Sequence, residues 1–326
     1  ASQSNNPLFQ STVAYTAPTL TSISGPATIE KTATEGQIAI TLTGTNFGPK
    51  SHTDFVVHYG PESEVAFVAK YTAGSCTVDT QETITCETVA GVGSDLKWRV
   101  TIGDQLTQVS SNGISYVLPL LLSIAGAAVE SATTTDGGVA ITLTGSNFGV
   151  DHLDSTYVAD DLVVHYGPDG SPDKYAASNC KVTTSQTEIT CTTSSGLGIG
   201  LKWRVSLASQ ISSVLDTTTT AYMKPSITGF VDGNFIWTQR GAEEPSTADG
   251  STNRADTIGG DWLSLLGNNF GPNNPYLTAN EVSATYGRAG DGRQRHPVRP
   301  HPAGLPQRLR PRLGHQHPAG DAGHHG

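Results

Sequence analysis

Apolar and polar residues alternate along several short segments of the chain, and one of these segments occurs three times. Its copies are AITLTGTNFG at residues 39–48, AITLTGSNFG at 140–149 and, with more changes, WLSLLGNNFG at 262–271. In the first copy Ile40 and Leu42 fall on one face of an extended chain, while the threonines beside them fall on the other. The alternation predicts β-strands with one buried face and one face in water.

Two further segments repeat in the same order. FVVHYGP at 55–61 returns as LVVHYGP at 162–168 and more loosely as VSATYG at 282–287, and LKWRV at 96–100 returns at 201–205. Because three landmarks agree in order and nearly in spacing, we predict tandem copies of one module, of which two are complete and the third is cut short. Only 15% of residues are charged, Met occurs once and Gly occurs 36 times. This composition favours an all-β fold with many turns.

The net charge of −10 is unevenly distributed. Seven of the 19 Lys and Arg residues lie after Gly287, so the rest of the chain is more acidic than the total indicates. An acidic body offers no clustered cations for phosphates, and we expect no nucleic-acid partner. The most apolar stretch, residues 118–129, is too short to cross a bilayer, so we also expect no membrane span.

The four cysteines form two pairs, one within each complete repeat: Cys76 with Cys86, and Cys180 with Cys191. If each pair faces across an antiparallel hairpin, Val78 faces Ile84 and Val182 faces Ile189, so apolar residues meet apolar residues in both. The first hairpin would then turn at residues 80–82. We therefore predict two intramodular disulfides, since a four-cysteine metal site would need a short C-x-x-C spacing that the sequence lacks. Such disulfides indicate an extracellular or cell-surface location.

The G-x-N-F-G turn after an apolar strand, the C-x-V and I-T-C hairpin strands and the following Gly-rich turn resemble the IPT/TIG family. The resemblance covers about residues 22–222 strongly, and residues 226–287 only through the first half of the module. It implies tandem immunoglobulin-like (IPT/TIG) β-sandwiches. Such modules occur in receptor ectodomains, surface and adhesion proteins, polysaccharide-acting enzymes and some transcription factors, so the fold does not fix the function.

Each complete module ends in a tyrosine segment with a proline close behind it, SYVLP at 115–119 and AYMKP at 221–225. Because the proline starts the next module, linkers are nearly absent, which predicts a stiff, rod-like array. We predict the following boundaries: an N-terminal segment at 1–17, module 1 at 18–118, module 2 at 119–224, an incomplete module 3 at 225–287, and an Arg/Pro/His-rich tail at 288–326.

The stretch STVAYTAP at residues 11–18 is a further copy of the module-ending segment, and the third repeat has no such copy after it. One explanation is that the sequence is a window cut from a longer array. The other is strand donation, in which residues 9–17 of one copy complete the third module of the next and build a head-to-tail filament. Ser11, Val13 and Tyr15 would then form the assembly strand.

The third repeat and the tail depart from the pattern. WLSLL places Trp262 and Leu266 on the outer strand face, where the earlier repeats have Ala and Thr. An apolar outer face indicates an interface, either with a partner or with the insert at residues 231–260. After Tyr286 the alternation stops, and seven Arg, six His and six Pro predict neither a strand nor a core. We interpret residues 288–326 as a non-native reading frame or a disordered basic tail.

No catalytic constellation stands out, and we expect neither an enzyme activity nor a cofactor nor a metal site. His58 and His165 recur, but the alternation puts them on an outer strand face, without a carboxylate or second His at ligand spacing. The acidic loops at 151–161 and 248–261 lack the spacing of a calcium loop. The threonines at 217–220 leave room for O-linked glycans, whereas no N-x-[S/T] sequon is present.

The sequence therefore predicts a non-enzymatic extracellular structural protein, a subunit of a surface rod or filament that associates with itself. The alternative is a ligand- or glycan-binding adhesin or receptor ectodomain. In that case exposed aromatic residues in loops, among them Tyr157 and Trp237, are the predicted ligand contacts.

Overall fold

The computed structural model describes residues 15–63, 66–150, 162–232, 235–238, 263–272, 284–286, 296–300 and 309–311. Within these ranges the chain forms 23 β-strands and two short helices, which confirms the predicted all-β class. Both helices have four residues, so no helix in this part of the chain could cross a membrane. The chain divides into two compact units: residues 1–132, 138–194 and 199–221, and residues 133–137, 195–198 and 222–326.

Module 1 is a sandwich of two antiparallel sheets. Its elements are β1 Thr19–Ser24, α1 Pro26–Ile29, β2 Ala39–Thr45, β3 Phe55–Gly60, β4 Tyr71–Thr72, β5 Gly74–Thr80, β6 Thr83–Glu87, β7 Lys97–Ile102 and β8 Gln105–Leu106. The strand orders are β1-β2-β6-β5 and β4-β3-β7-β8. With strands lettered along the chain, these are the A-B-E-D and C-F-G sheets of an immunoglobulin-like domain, with β4 added beside strand C.

Module 2 repeats this topology. Its elements are β9 Leu120–Ala125, α2 Ala127–Glu130, β10 Ala140–Ser146, β11 Leu162–Gly167, β12 Tyr175–Ala176, β13 Ser178–Thr184, β14 Glu188–Thr192, β15 Leu201–Leu207, β16 Gln210–Ile211 and β17 Leu215–Thr220. The strand orders are β9-β10-β14-β13 and β12-β11-β15-β16, and β17 pairs with β15 as an additional strand.

The alternating residues of the repeated segments build the core. In module 1 the residues predicted to face inward are each at most 2% exposed: Ile40, Leu42, Leu96, Trp98 and Val100. They belong to one cluster with side chains from both sheets. The ring of Trp98 stacks on Tyr59 with centroids 4.4 Å apart, and in module 2 Trp203 stacks on Tyr166 at 4.2 Å. Stacked aromatic pairs of this kind stabilise beyond the area they bury.

The G-x-N-F-G motif follows from a close backbone approach. A side chain at the first glycine, Gly44, would clash with the carbonyl of Thr19 and with the ring of Phe47, which is fully buried. Gly145 lies in the same way beneath the carbonyl of Leu120. In both modules the pairing register of the first strand shifts next to this point, which identifies a bulge. The motif therefore fixes where the second strand ends.

The two predicted disulfides are formed, Cys76 with Cys86 and Cys180 with Cys191. Their hairpins have the predicted register, because Val78 pairs with Ile84 and Val182 with Ile189. The first turn is tighter than predicted: Thr80 pairs with Thr83, since β5 is irregular just after Val78. Each disulfide lies within one sheet, whereas antibody domains join their two sheets.

In the third repeat the described strands form one sheet with the order β19-β18-β20-β23-β22-β21. They are β18 Ser226–Asp232, β19 Phe235–Thr238, β20 Leu263–Asn268, β21 Ala284–Tyr286, β22 His296–Pro300 and β23 Leu309–Pro311. The pairing of β18 with β20 has the same register shift as the first strands of modules 1 and 2. Gly267 again lies beneath a carbonyl, that of Ser226, and beside the Phe270 ring.

Two expectations for this repeat are wrong. Residues 288–326 were predicted to contain no strand, yet β22 and β23 pair beside β20, where modules 1 and 2 have the cysteine hairpin. Strand pairing uses backbone groups and does not require alternating side chains. Trp237 was predicted in a loop, but it lies in β19 and pairs with Phe230. The segment FIWT is rich in residues that favour strands. The interpretation of the tail as a non-native frame stays a prediction.

The close approach at Gly145 can be tested by adding one methyl group. We expect Gly145→Ala to lower the free energy of unfolding by about 3 kcal/mol, because the added methyl group would lie 2.0 Å from the Leu120 carbonyl oxygen and 2.4 Å from the Phe148 ring. Gly103→Ala is the matched control. Gly103 has a φ of 51° and open space around it, and module 2 has Ala208 in the equivalent turn with a φ of 44°. Both variants can be measured by urea unfolding. Equal losses of unfolding free energy in Gly145→Ala and Gly103→Ala would contradict this account.

Candidate functional site

Modules 1 and 2 meet through the segment that closes module 1, and we call this contact the joint. Tyr116 in this segment is fully buried, and its hydroxyl donates a hydrogen bond to the Val89 carbonyl at 2.6 Å. The Tyr116 and Tyr59 hydroxyls are 2.7 Å apart, and the Val89 N–H donates to Tyr59 at 2.9 Å. Tyr116 also forms a parallel bridge with Thr32. The closing segment is thereby anchored between the two sheets.

The side-chain amide of Gln210, from module 2, completes the backbone pairing at this end of module 1. Its Nε2 donates to the Tyr116 carbonyl at 2.8 Å, and its Oε1 accepts from the Gly93 N–H at 3.0 Å. Gln210 is 4% exposed, so water cannot take over these roles. Buried backbone groups without a partner are costly. Gln210 therefore couples the fold of module 1 to the position of module 2.

Gln210 reaches module 1 from the hairpin between β15 and β16. Leu207 pairs with Gln210, and the two turn residues, Ala208 and Ser209, have φ values of 44° and 66°. Both lie in the left-handed region, as a tight two-residue hairpin requires. The methyl group of Ala208 lies beside Gly93. The tip of the hairpin is thus part of the joint.

A second pair of residues crosses the joint. Thr34 of module 1 is fully buried, and its hydroxyl donates to Gln186 Oε1 at 2.7 Å. Gln186 Nε2 donates back to the Thr34 carbonyl at 3.1 Å. The same Gln186 oxygen accepts from the Gly149 N–H at 3.1 Å, so the side chain is held by its own module before it reaches Thr34. Gln186 and Gln210 therefore attach module 2 to module 1 at two separate places.

The asparagine of the G-x-N-F-G motif holds the carbonyl just before the first strand in all three repeats. Each of these asparagines has a left-handed φ, 61° at Asn46, 61° at Asn147 and 59° at Asn269. Asparagine tolerates this conformation better than most residues. Their amides donate to the carbonyl that precedes the linker proline: Asn46 to Ala17 at 3.1 Å, Asn147 to Leu118 at 3.0 Å, and Asn269 to Lys224 at 3.5 Å.

The buried tyrosine pair has shifted acidity. Burial raises the pKa of Tyr59 to about 12, against a lowering by the hydrogen bonds to Tyr116 and Val89. Burial also raises the pKa of Tyr116, and the neighbouring Tyr59 raises it further. Both hydroxyls therefore stay protonated near neutral pH and act as hydrogen-bonding groups of the closing segment.

Several predicted site residues lie outside the described residues: Ser11, Val13, Tyr157 and Trp262. Tyr15 is described, and its side chain is 91% exposed. Leu266 is 37% exposed, next to the less exposed Leu265, in agreement with the predicted alternation of β20. The threonine run is not wholly available for glycans, because Thr220 is buried and accepts a hydrogen bond from Trp203 Nε1 at 3.0 Å.

His58 lies on an outer face, as the alternation predicted. Its Nδ1 is 3.2 Å from the Thr72 hydroxyl, and its strand neighbour Val56 is 43% exposed. Among the residues that the structure describes, no three His, Cys, Asp or Glu side chains are placed to hold a metal ion.

Sequence reasoning missed Gln186, Gln210 and Thr34. A signal for the glutamines was present, because Gln81 and Gln105 stand at the equivalent turns of module 1. A polar residue kept in a turn of both repeats indicates a contact beyond its own module. The pattern of apolar residues gives no such indication, since it reports only the core of each module.

No protein-family model matches the chain, and no curated protein sequence is similar to it. Among solved structures, SGBP-B from a xyloglucan utilization locus in Bacteroides uniformis is 12% identical over 66% of this chain and 52% of its own, with a TM-score of 0.25. The surface glycan-binding protein PbSGBP-B from Prevotella bryantii is 16% identical over 64% of this chain and 42% of its own, with a TM-score of 0.36.

Invasin, a bacterial integrin-binding protein, is 11% identical over 77% of this chain and 48% of its own, with a TM-score of 0.24. The chain spans about half or less of the length of each of these three structures. At such TM-scores the similarities assign neither a family nor a function. The IPT/TIG assignment stays a resemblance drawn from the sequence motifs.

The tyrosine pair predicts a loss of stability in alkali. A tyrosine whose pKa is raised by folding stabilises the fold fully below its unfolded value of 10.0, and this contribution is lost as the pH rises from 10.0 to about 12. We expect the free energy of unfolding to fall across this window, and to fall less steeply in Tyr116→Phe. Tyr15→Phe is the control, because the Tyr15 side chain is exposed. The unfolding can be followed by tryptophan fluorescence at each pH. Equal pH dependence of the free energy of unfolding in Tyr116→Phe and Tyr15→Phe would count against this account.

The coupling through Gln210 can be measured at one backbone amide. In Gln210→Ala the Gly93 N–H and the Tyr116 carbonyl lose their partner, at a cost of about 2 kcal/mol. This cost corresponds to a roughly thirtyfold larger population of the locally open state in which the Gly93 amide exchanges. We expect hydrogen exchange at Gly93 to accelerate by that factor. Gln105→Ala removes the equivalent, partly exposed side chain of module 1 and should leave Gly93 unchanged. Unchanged exchange in Gln210→Ala would show that the joint does not support module 1.

Proposed function

We propose that the chain is a non-enzymatic extracellular structural protein, in which stacked modules act as a stiff spacer. The observation that carries this proposal is the joint. Gln210 and Gln186 satisfy buried backbone groups of module 1 from two separate hairpins of module 2. A flexible tether would gain nothing from such contacts, because both hairpins must keep their positions for all of these bonds to form.

The connection itself supports stiffness. It is short and ends in Pro119, whose φ is fixed by its ring. The carbonyl of Leu118 is held by Asn147, and the N–H of Val117 donates to the Thr32 carbonyl at 2.9 Å. Each residue between the buried Tyr116 and the first strand of module 2 is therefore restrained. Fixing module orientation in advance is what a spacer or array subunit requires.

The proposed extracellular location rests on the two disulfides. Each closes a hairpin of about ten residues, and a loop of this size gives about 3 kcal/mol of stabilisation. Structural disulfides persist in oxidising compartments and are rare in the cytosol. A spacer that works outside the cell, without chaperones, gains from such covalent reinforcement in every module.

The spacer role predicts a single distance between modules 1 and 2. Nitroxide labels at Thr53 and Lys181, both exposed, place one spin in each module. We expect pulsed electron–electron double resonance on the full chain to give one narrow distribution of distances between the two labels. The double variant Gln186→Ala/Gln210→Ala should broaden it, because only the backbone connection remains. A broad distribution in the parent chain would contradict the spacer role.

A further inference from the structure

The segment that closes module 1 pairs in parallel with a segment that follows the first helix. The Thr32 N–H donates to the Ser115 carbonyl at 2.7 Å, and the Val117 N–H donates to the Thr32 carbonyl at 2.9 Å. Thr32 and Tyr116 thereby form a parallel bridge. We call the two paired segments, residues 32–34 and 115–117, the clamp.

The parallel direction of the clamp decides how it responds to tension along the chain. Tension that enters module 1 through β1 pulls Thr32 toward its N-terminal side, and tension that leaves through Pro119 pulls Tyr116 toward its C-terminal side. Because the two segments run in the same direction, the two pulls are opposite along one axis. The hydrogen bonds lie across this axis and are loaded together in shear. An antiparallel pair with the same exits would open one bond at a time.

The clamp is shielded from water. Thr32 is 2% exposed and Tyr116 is fully buried. The Tyr116 N–H also donates to the Gly93 carbonyl at 2.9 Å, so the closing segment is bonded on both sides. A buried backbone group that loses its partner finds no replacement in solvent, which makes partial opening costly. Tension must therefore break several buried bonds at once before module 1 extends.

Module 2 holds both segments of the clamp through two side chains. Gln210 Nε2 donates to the carbonyl of Tyr116 in the closing segment at 2.8 Å. Gln186 Nε2 donates to the carbonyl of Thr34 in the other segment at 3.1 Å. The two glutamines belong to one module, so the segments cannot slide past each other unless one of these bonds breaks.

We propose that module 1 bears tension through the clamp, and that module 2 locks the clamp by holding both of its segments. The parallel bridge between Thr133 and Tyr222 repeats the pairing of the clamp in module 2. This load-bearing role rests on the proposed spacer function, because the lock requires the joint to stay closed. It goes beyond that function, since a spacer can fix orientation without resisting extension.

The disulfide of module 1 limits how far tension can extend the chain. Cys76 and Cys86 are 10 residues apart, and both lie between the two segments of the clamp. After the clamp opens, this loop stays closed. Module 1 then lengthens by about 35 Å less than it would without the disulfide, at roughly 3.5 Å per extended residue.

Optical tweezers that hold the full chain at constant tension test the inference. The unfolding steps of modules 1 and 2 are recognised because each should lengthen by about 35 Å when a reducing agent opens its disulfide. Val117→Pro removes the N–H that bonds the Thr32 carbonyl. We expect it to shorten the lifetime of one of the two steps about tenfold, because one buried bond is lost. Val117→Ala keeps this N–H and should leave the lifetime unchanged.

The double variant Gln186→Ala/Gln210→Ala tests the lock without changing a residue of the clamp. It should also shorten the lifetime of one step about tenfold. Ile84→Val is the control, because Ile84 is fully buried in β6, away from the clamp. This change lowers stability, yet β6 is still folded when the clamp opens, so the lifetime should change less than about twofold.

Two results would overturn the inference. One is a lifetime in Gln186→Ala/Gln210→Ala equal to that of the parent chain. The other is a loss in Ile84→Val as large as that in the double variant, because forced unfolding would then follow overall stability and not the clamp. A narrow spin-label distance in the parent chain would remain in either case, so the spacer function would stand.

Discussion

The carbonyl of Tyr116 and the N–H of Gly93 lie at the end of module 1, where its own strands no longer pair them. Both groups are bonded to one buried amide, that of Gln210 in the next module. A buried backbone group that loses its partner costs about 1 to 3 kcal/mol. This constraint makes the end of module 1 dependent on module 2, and the arrangement of the two modules follows from it.

The rest of the joint keeps that amide in place. The turn of Ala208 and Ser209 points Gln210 at module 1, and the left-handed Asn147 holds the linker carbonyl beside the proline. The hairpin turn and the left-handed asparagine each depend only on neighbouring residues, so each repeat can form them independently. Modules 1 and 2 need no dedicated linker, because the turns of module 2 contact the closing segment of module 1.

The fold could be largely predicted from the sequence, because strand alternation and cysteine spacing are local signals. The pairing of Val78 with Ile84 follows from the positions of two cysteines alone. The joint could not be predicted in this way, since Gln210 and Tyr116 are 94 residues apart and neither belongs to an apolar pattern. The strand containing Trp237 and the burial of Thr220 were missed for a related reason: pairing partners decide such positions, and local composition does not.

The central claim is that modules 1 and 2 keep one fixed orientation in solution. Residual dipolar couplings of backbone amides in a weakly aligned sample of the full chain test it most directly, because each module reports its own alignment. We expect the couplings of residues 19–116 and 162–220 to fit a single alignment tensor of one magnitude and direction. Two tensors of different magnitude, one for each module, would mean that the modules move independently, and that Gln210 does not hold them.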